Sequence, residues 1–418
     1  MTFLFTWINR PVKQHSDQQS VHDLVIHNAR LYPMSGNIEC SECDQIAIDN
    51  GLISSISKSQ SEGVLAARTS IDAQQRVLLP SFIDCHTHIV YAGDRSAEHN
   101  QRLRGVDYAE IHASGGGIYA TVNAVRKADE AELIQQSMQR IQALQSEGVT
   151  TLEIKSGYGL DTDNELKMLG AIRTLKQNLP MNIVSTFLGA HTIPKNTTQN
   201  EYLDLIISEM LPLIAKHDLA DAVDMYVENI AFDNAAMTQL FKAAQDLKLN
   251  TRVHAEQLSH MRAAETAASL GALSADHLEY LDKGGARVMG EHGCVAVLLP
   301  NAFYFLQETR KPPVASLRKH KVSIAVASDT NPGTSPIPSL LTALHFSVHL
   351  FGLDCQEALL GISLNAAKAL GLQQKLGSLE VGKQADLALW DIPGPEFLCY
   401  QLGGLGPDQV WHKGVMCR

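Results

Sequence analysis

Between about residue 79 and residue 371, short apolar strands and amphipathic helices take turns eight times, and this alternation constrains the fold more than any other feature. The strands are read at 77–83, 149–154, 183–188, 222–227, 250–253, 272–275, 295–299 and 322–327. The helix over 129–147 shows why the segments between them are helical. Ile134, Met138, Ile141 and Leu144 fall on one face, Asp129 and Glu132 cap the start, and Gly148 ends it. A strand–helix unit repeated eight times argues for an α/β fold, a (β/α)8 barrel of the TIM type. A doubly wound open sheet is the competing arrangement.

Both chain ends have a different texture. From His22 to Asp72 short strands alternate with turns, and Asn50-Gly51 between two apolar runs is a strong hairpin signal. The same pattern returns at Ala385-Asp386-Leu387-Ala388-Leu389-Trp390 and Gln409-Val410-Trp411. Neither piece is long enough to make a stable sheet alone, so the two are paired as one small β-sandwich domain. The expected division is a poorly ordered segment over 1–21, a composite β domain of 22–76 and 372–418, and a catalytic barrel over 77–371.

Composition narrows the class. Hydrophobic residues are 45% and charged residues 19%, as in an ordinary globular protein. A net charge of −11 with no long basic run argues against a nucleic-acid partner. The apolar opening, Thr2 to Ile8, lacks a basic leader and a small-residue cleavage site, so it is not read as a signal peptide. No stretch reaches the roughly 18 apolar residues of a membrane span. Seven scattered cysteines fit a reducing cytoplasm better than a disulfide framework, and the lone Cys40-x-x-Cys43 is read as chance.

Chemistry concentrates where a barrel would place it, at the C-terminal ends of strands. His86 and His88 close the first apolar run in Asp84-Cys85-His86-Thr87-His88. Side chains at i and i+2 of a strand share a face, so both imidazoles can reach one point. His191 follows the third strand, His254 and His277 end the fifth and sixth, and Asp329 ends the eighth. A lone strand-end histidine is commonly structural; this many on one rim indicates a metal site. Imidazole and carboxylate ligands suit zinc or ferrous-type ions. An open coordination position would lower the pKa of a bound water toward neutrality.

These residues, with the closing Gly377-Ser378-Leu379-Glu380-Val381-Gly382-Lys383-Gln384-Ala385-Asp386-Leu387, resemble the amidohydrolase superfamily. Within it the chain is similar to the imidazolonepropionase family, over about residues 22–418. The stretches that carry the likeness are Ala92-Gly93-Asp94-Arg95, Ser114-Gly115-Gly116-Gly117-Ile118, Glu153 to Leu160, Gly189-Ala190-His191, His254-Ala255-Glu256-Gln257 and Ser328 to Thr334. The resemblance implies one divalent or trivalent metal ion per subunit, zinc or iron, held by His86, His88, His254 and Asp329. It implies Asp329, His277 and His191 as catalytic side chains. Substrate contacts would be Arg95, Tyr158, His191, Gln257, Asn331, Gly333 and Thr334. The implied reaction is hydrolysis of the cyclic amide of 4-imidazolone-5-propanoate to N-formimidoyl-L-glutamate in histidine degradation, by a cytoplasmic homodimer.

Several residues have two readings. Arg95 can clamp a propionate carboxylate bidentately or pair with Glu98 or Asp94. Some relatives carry Glu where this chain has Gln257, which cannot shuttle a proton; Glu256 beside it is read as structural. Lys155 is read as an ion-pair residue. Gly115-Gly116-Gly117 lacks a preceding strand and a Walker lysine, so it is read as a mobile loop over the site and not a phosphate cradle. Deamination of an aromatic base, or hydrolysis of another cyclic amide, is the rival activity.

Overall fold

The structure is a computed structural model that describes residues 21–106 and 116–418. The expected N-terminal disordered segment and the glycine loop through Gly115 lie outside the described residues, apart from Val21. The chain first forms β1 (His22–His27), β2 (Arg30–Leu31), β3 (Gln45–Asp49), β4 (Leu52–Ser57), β5 (Ala67–Asp72) and β6 (Val77–Pro80). There follow β7 (Phe82–Asp84), β8 (Val149–Lys155), β9 (Asn182–Ala190), β10 (Ala222–Val227), β11 (Asn250–Ala255), β12 (Ser274–His277), β13 (Val295–Leu298) and β14 (Ile324–Val326). The chain ends with β15 (Leu387–Trp390), β16 (Gln409–His412) and β17 (Val415–Met416).

Strands β7 to β14 lie side by side in chain order in one eight-stranded sheet. Every pairing between them is parallel. Beyond β7 and β14 the sheet closes on itself. His88 N–H donates to Thr330 O at 2.9 Å and Asp329 N–H to His86 O at 3.1 Å, around a parallel Thr87/Thr330 bridge. That seam decides for the barrel against the open sheet, and it sits where the first and last strands carry their metal-ligand candidates.

One apolar run serves two sheets. Residues 77–83 are read from sequence as a single barrel strand, but the structure splits them at Ser81. Val77–Pro80 pairs antiparallel with β15, and Ser81 N–H donates to Asp386 O at 3.0 Å. Barrel pairing begins only at Phe82, whose N–H meets Gly148 O at 3.0 Å. Every side chain of this run is buried, so hydrophobicity carries no mark of the change.

The two end segments build a pair of facing sheets, ordered β4-β3-β1-β5 and β17-β16-β15-β6-β2. Ile26, Ile46 and Ile48 from one sheet and Leu78, Leu387 and Trp411 from the other share a single core. The Asn50-Gly51 hairpin forms between β3 and β4, with both residues at positive φ (52° and 76°), as a type I′ turn requires. The helix read at 129–147 spans Glu130–Ser146 and Asp129 accepts from Glu132 N–H. Its stripe is rotated from the expected one. Leu133, Ser137, Ile141 and Leu144 are buried, while Ile134 and Met138 sit at the margin.

Candidate metal centre and active site

Three imidazoles and one carboxylate converge at the C-terminal end of the barrel. His86 and His88 follow β7 in extended chain, His254 lies within β11, and Asp329 follows β14 at the closing seam. His88 Nε2 lies 3.2 Å from His86 Nε2 and 3.3 Å from His254 Nε2. Asp329 Oδ1 is 3.5 Å from both His86 Nε2 and His88 Nε2. A tetrahedral ion with arms of roughly 2.0–2.1 Å needs ligand atoms roughly 3.3–3.4 Å apart, so this donor set fits zinc or a similar cation. All four side chains are almost wholly buried. Packing that many nitrogen and oxygen donors together without hydrogens between them is costly unless something cationic joins them.

A second layer orients the first. His86 Nδ1 is 2.6 Å from Asp276 Oδ2, and His254 Nδ1 is 3.1 Å from Asp224 Oδ2. Such partners fix ring orientation and raise ligand basicity. Lys155 Nζ bridges Glu153 and Asp224 at 2.8 Å each, which is the ion-pair role read for it. Glu153 in turn receives Thr87 N–H at 3.2 Å, between the two histidines. Asp224 and Asp276 escaped the sequence reading. Asp224 is the one charge in the otherwise largely apolar β10, and that oddity is the available signal; Asp276, between Ala275 and His277, carries none.

Burial, and then the neighbouring Lys155 charge and imidazoles, hold the pKa of His86 well below the usual value; burial and those neighbours do the same for His88. Neutral rings keep the lone pairs that a cation needs. Burial lowers His191 to about 4 and His277 to about 3. For His254 burial also opposes charge, but the Asp224 carboxylate outweighs it and the pKa rises. Burial lifts Asp329 to about 7.

Beside the cluster lies a cavity of about 370 Å³. It is lined by His88, His254 and Asp329 and by the sequence-chosen Arg95, Tyr158, His191, Gln257, His277, Asn331, Gly333 and Thr334. Of the expected residues only His86 is not on its wall. A second cavity at the other end of the barrel is larger, but none of these residues lines it.

Arg95 makes the ion pair that was one of its two readings. Nε donates to Glu98 Oε2 at 3.0 Å and Nη2 pairs with Glu98 Oε1. Nη1 takes no part in that pair and lies against Gly333, where a Cβ would come within 2.0 Å of it. Tyr158 is buried with its ring 5.4 Å from His191 and 6.1 Å from His88. Gly157 before it has φ of 109°, and a Cβ there would meet Leu188 O at 2.8 Å. Its carbonyl accepts from His191 Nδ1 at 3.0 Å. The buried Glu165 carboxylate gathers the N–H groups of Gly157, Gly159 and Leu160 at 3.1, 2.7 and 3.0 Å and fixes this loop. It too escaped the sequence reading.

Gln257 Oε1 accepts from Tyr226 Oη at 3.0 Å. Glu256 points away from the cluster and accepts from Ala263 and Ala264 N–H at 2.6 and 3.0 Å, the structural part expected of it. The Asn331 amide is largely spent on its own loop: Oδ1 accepts from Gly333 and Thr334 N–H, and Nδ2 donates to Asp329 O. Gly117 N–H, beyond the undescribed part of the glycine loop, donates to Glu98 Oε2 at 2.9 Å.

Residues 77–416 match the amidohydrolase family model. An imidazolonepropionase of Shewanella sp. (strain ANA-3) is 53% identical over 328 residues, 78% of this chain and 80% of that protein. An imidazolonepropionase of Xanthomonas oryzae pv. oryzae (strain PXO99A) is 46% identical over 384 residues, 91% of this chain and 96% of that one. Among solved structures, 5-methylcytosine deaminase from Klebsiella pneumoniae superposes with a TM-score of 0.73 at 19% identity, covering 94% of this chain and 97% of its own. A zinc-bound adenosine deaminase from Xanthomonas campestris gives 0.68 at 18%, covering 94% and 92%. These two likenesses establish the shared fold; the closer sequence matches reach further. The chain belongs to the amidohydrolase family and, within it, to the imidazolonepropionases.

Proposed function

We propose that the protein is a metal-dependent hydrolase that opens the cyclic amide of 4-imidazolone-5-propanoate, giving N-formimidoyl-L-glutamate. The observation that carries this reading is a three-histidine, one-aspartate cluster beside one cavity that has an arginine on its wall. Its volume of about 370 Å³ suits a small ring with a short acidic arm. Identities of 53% and 46% to the two imidazolonepropionases support the same choice of substrate. His86, His88, His254 and Asp329 would hold the cation, zinc or iron, one per chain. When bound, the cation supplies Lewis acidity, acidifying a water and polarising a carbonyl.

The chain's own groups do the rest. Arg95, held by Glu98, receives the propionate carboxylate on its remaining N–H groups. Tyr158, His191 and Gln257 orient the ring, with Gln257 steadied by Tyr226. Gly333 and Thr334 complete the wall, and Asn331 shapes the loop that carries them. His277 donates a hydrogen bond to the carbonyl oxygen as it gains charge. Water adds its oxygen to the carbonyl carbon and the ring C–N bond breaks. Asp329 takes the proton from that water and delivers it to the departing nitrogen.

We infer a homodimer from the family resemblance. A cytoplasmic location is supported by seven cysteines that are all free thiols. The net charge of −11 disfavours nucleic acid as a partner. No described helix is long and apolar enough to cross a membrane.

Product analysis after incubation with imidazolonepropionate tests the reading. Formimidoylglutamate without released ammonia is expected; ammonia would instead indicate a deaminase.

A further inference from the structure

Two permanently cationic side chains line the catalytic cavity, Arg95 and Arg102, and the ring opening described above uses only the first. Both also line a side cavity of about 190 Å³, which shares Gly333 with the larger one. They stand on one helix. Arg95 is the N-cap of Ser96–Leu103, and within that helix only Glu98, His99 and Arg102 are partly withdrawn from solvent. Positions i, i+3, i+4 and i+7 share a helical face, so these four side chains form a single inward stripe. The His99 ring stacks on Phe305 at 4.7 Å and holds that face in place.

The charges along the stripe do not cancel. Glu98 engages two guanidinium nitrogens of Arg95 and accepts Gly117 N–H at 2.9 Å with the same carboxylate. Burial opposes charge on Glu98, but those hydrogen bonds and the nearby Arg95 and Arg102 outweigh it and hold the pKa below its usual value. Glu98 therefore stays ionised and already neutralises one cation. Arg102 has no ion-pair partner within 4.0 Å and no side-chain hydrogen bond among the described residues. Glu308, on the same cavity wall, lies beyond that reach.

We propose that Arg102 is a specificity-determining residue for the anionic arm of the substrate. It supplies the uncompensated positive charge that makes the cavity select a carboxylate, while Arg95, with its charge already met by Glu98, supplies oriented N–H groups. This assignment rests on the ring-opening reading of the same cavity.

Steady-state turnover of 4-imidazolone-5-propanoate by the metal-loaded full chain tests it, with imidazole-4-propanoate and its neutral amide as competitive inhibitors at constant ionic strength. The parent protein should bind the acid more tightly than the amide. Arg102→Gln should raise KM by about tenfold or more with kcat unchanged, and should weaken the acid by a similar factor while sparing the amide. Arg102→Lys, which keeps the charge and loses the fork, should recover most of the preference for the acid. Arg102→Gln that keeps the parent's KM and acid preference overturns the proposal. So does equal weakening of acid and amide, the sign of a merely structural residue. A parent chain that leaves 4-imidazolone-5-propanoate unopened overturns the ring-opening reading itself, and the role of Arg102 with it.

Discussion

At the scale of single residues, the site divides into groups that would meet the ion, groups that would meet the substrate, and groups that hold both. Asp329→Asn keeps the size of the side chain but removes its basicity. It should lower kcat by about 10³-fold or more with an unchanged circular dichroism spectrum; a near-normal rate would remove Asp329 from proton transfer. Arg95→Ala should raise KM by about 10- to 100-fold with metal content unchanged, since a charge-assisted pair is worth about 1.5–3 kcal/mol. Glu98→Gln gives the companion measurement: a smaller rise in KM, because Arg95 survives but loses its bidentate anchor. Asp224→Asn touches no substrate, yet it should weaken metal binding by about 10- to 100-fold, read by chelator competition, through the His254 ring that Asp224 orients.

At the scale of elements, local chemistry is legible wherever a cap or turn decides. The helix Asn234–Asp246 is capped by Asp233, which accepts from Ala236 N–H at 2.8 Å. That backbone bond, aided by Gln199, holds the Asp233 pKa below its usual value. A depressed carboxylate stabilises the fold above its unfolded pKa and loses that effect as pH falls through the folded one. Asp233→Ala should therefore cost about 1 kcal/mol in urea unfolding at neutral pH, with the gap to the parent closing below about pH 4. Asp233→Asn should retain most of the stability.

Periodicity alone located all eight barrel strands to within a few residues, because each is an apolar run between turn signals. It could not see the break at Ser81, since both halves of that run are buried. It also misplaced the stripe of the Glu130–Ser146 helix by about one residue, for a buried Ser137 carries no hydrophobic signal. In the site, histidines at strand ends announced themselves. Asp224, Asp276 and Glu165 act through other residues, and their partners are set by tertiary packing that spacing does not encode.

At the scale of the whole molecule, the join between the small sheets and the barrel lies close to the chemistry. Trp390 on β15 is fully buried and its ring lies 5.6 Å from Phe82 on β7, four residues before His86. We propose Ser81, not residue 77, as the boundary between the composite β unit and the barrel. Trp390→Ala should cost about 3–5 kcal/mol in denaturant unfolding, while Trp390→Phe should cost far less. Equal losses in the two variants would mean that the contact does not tie the units together.

The partnership of β6 with β15 has a further bearing on how the protein is made. These strands are about 300 residues apart, and β6 leads straight into the segment bearing His86 and His88. On the ribosome, β6 emerges early and must wait for nearly the entire polypeptide before its antiparallel neighbour exists. Completion of that sheet is then a late event of biosynthesis, and chains cut short before Leu387 should be released with an unpaired sticky edge, prone to clump.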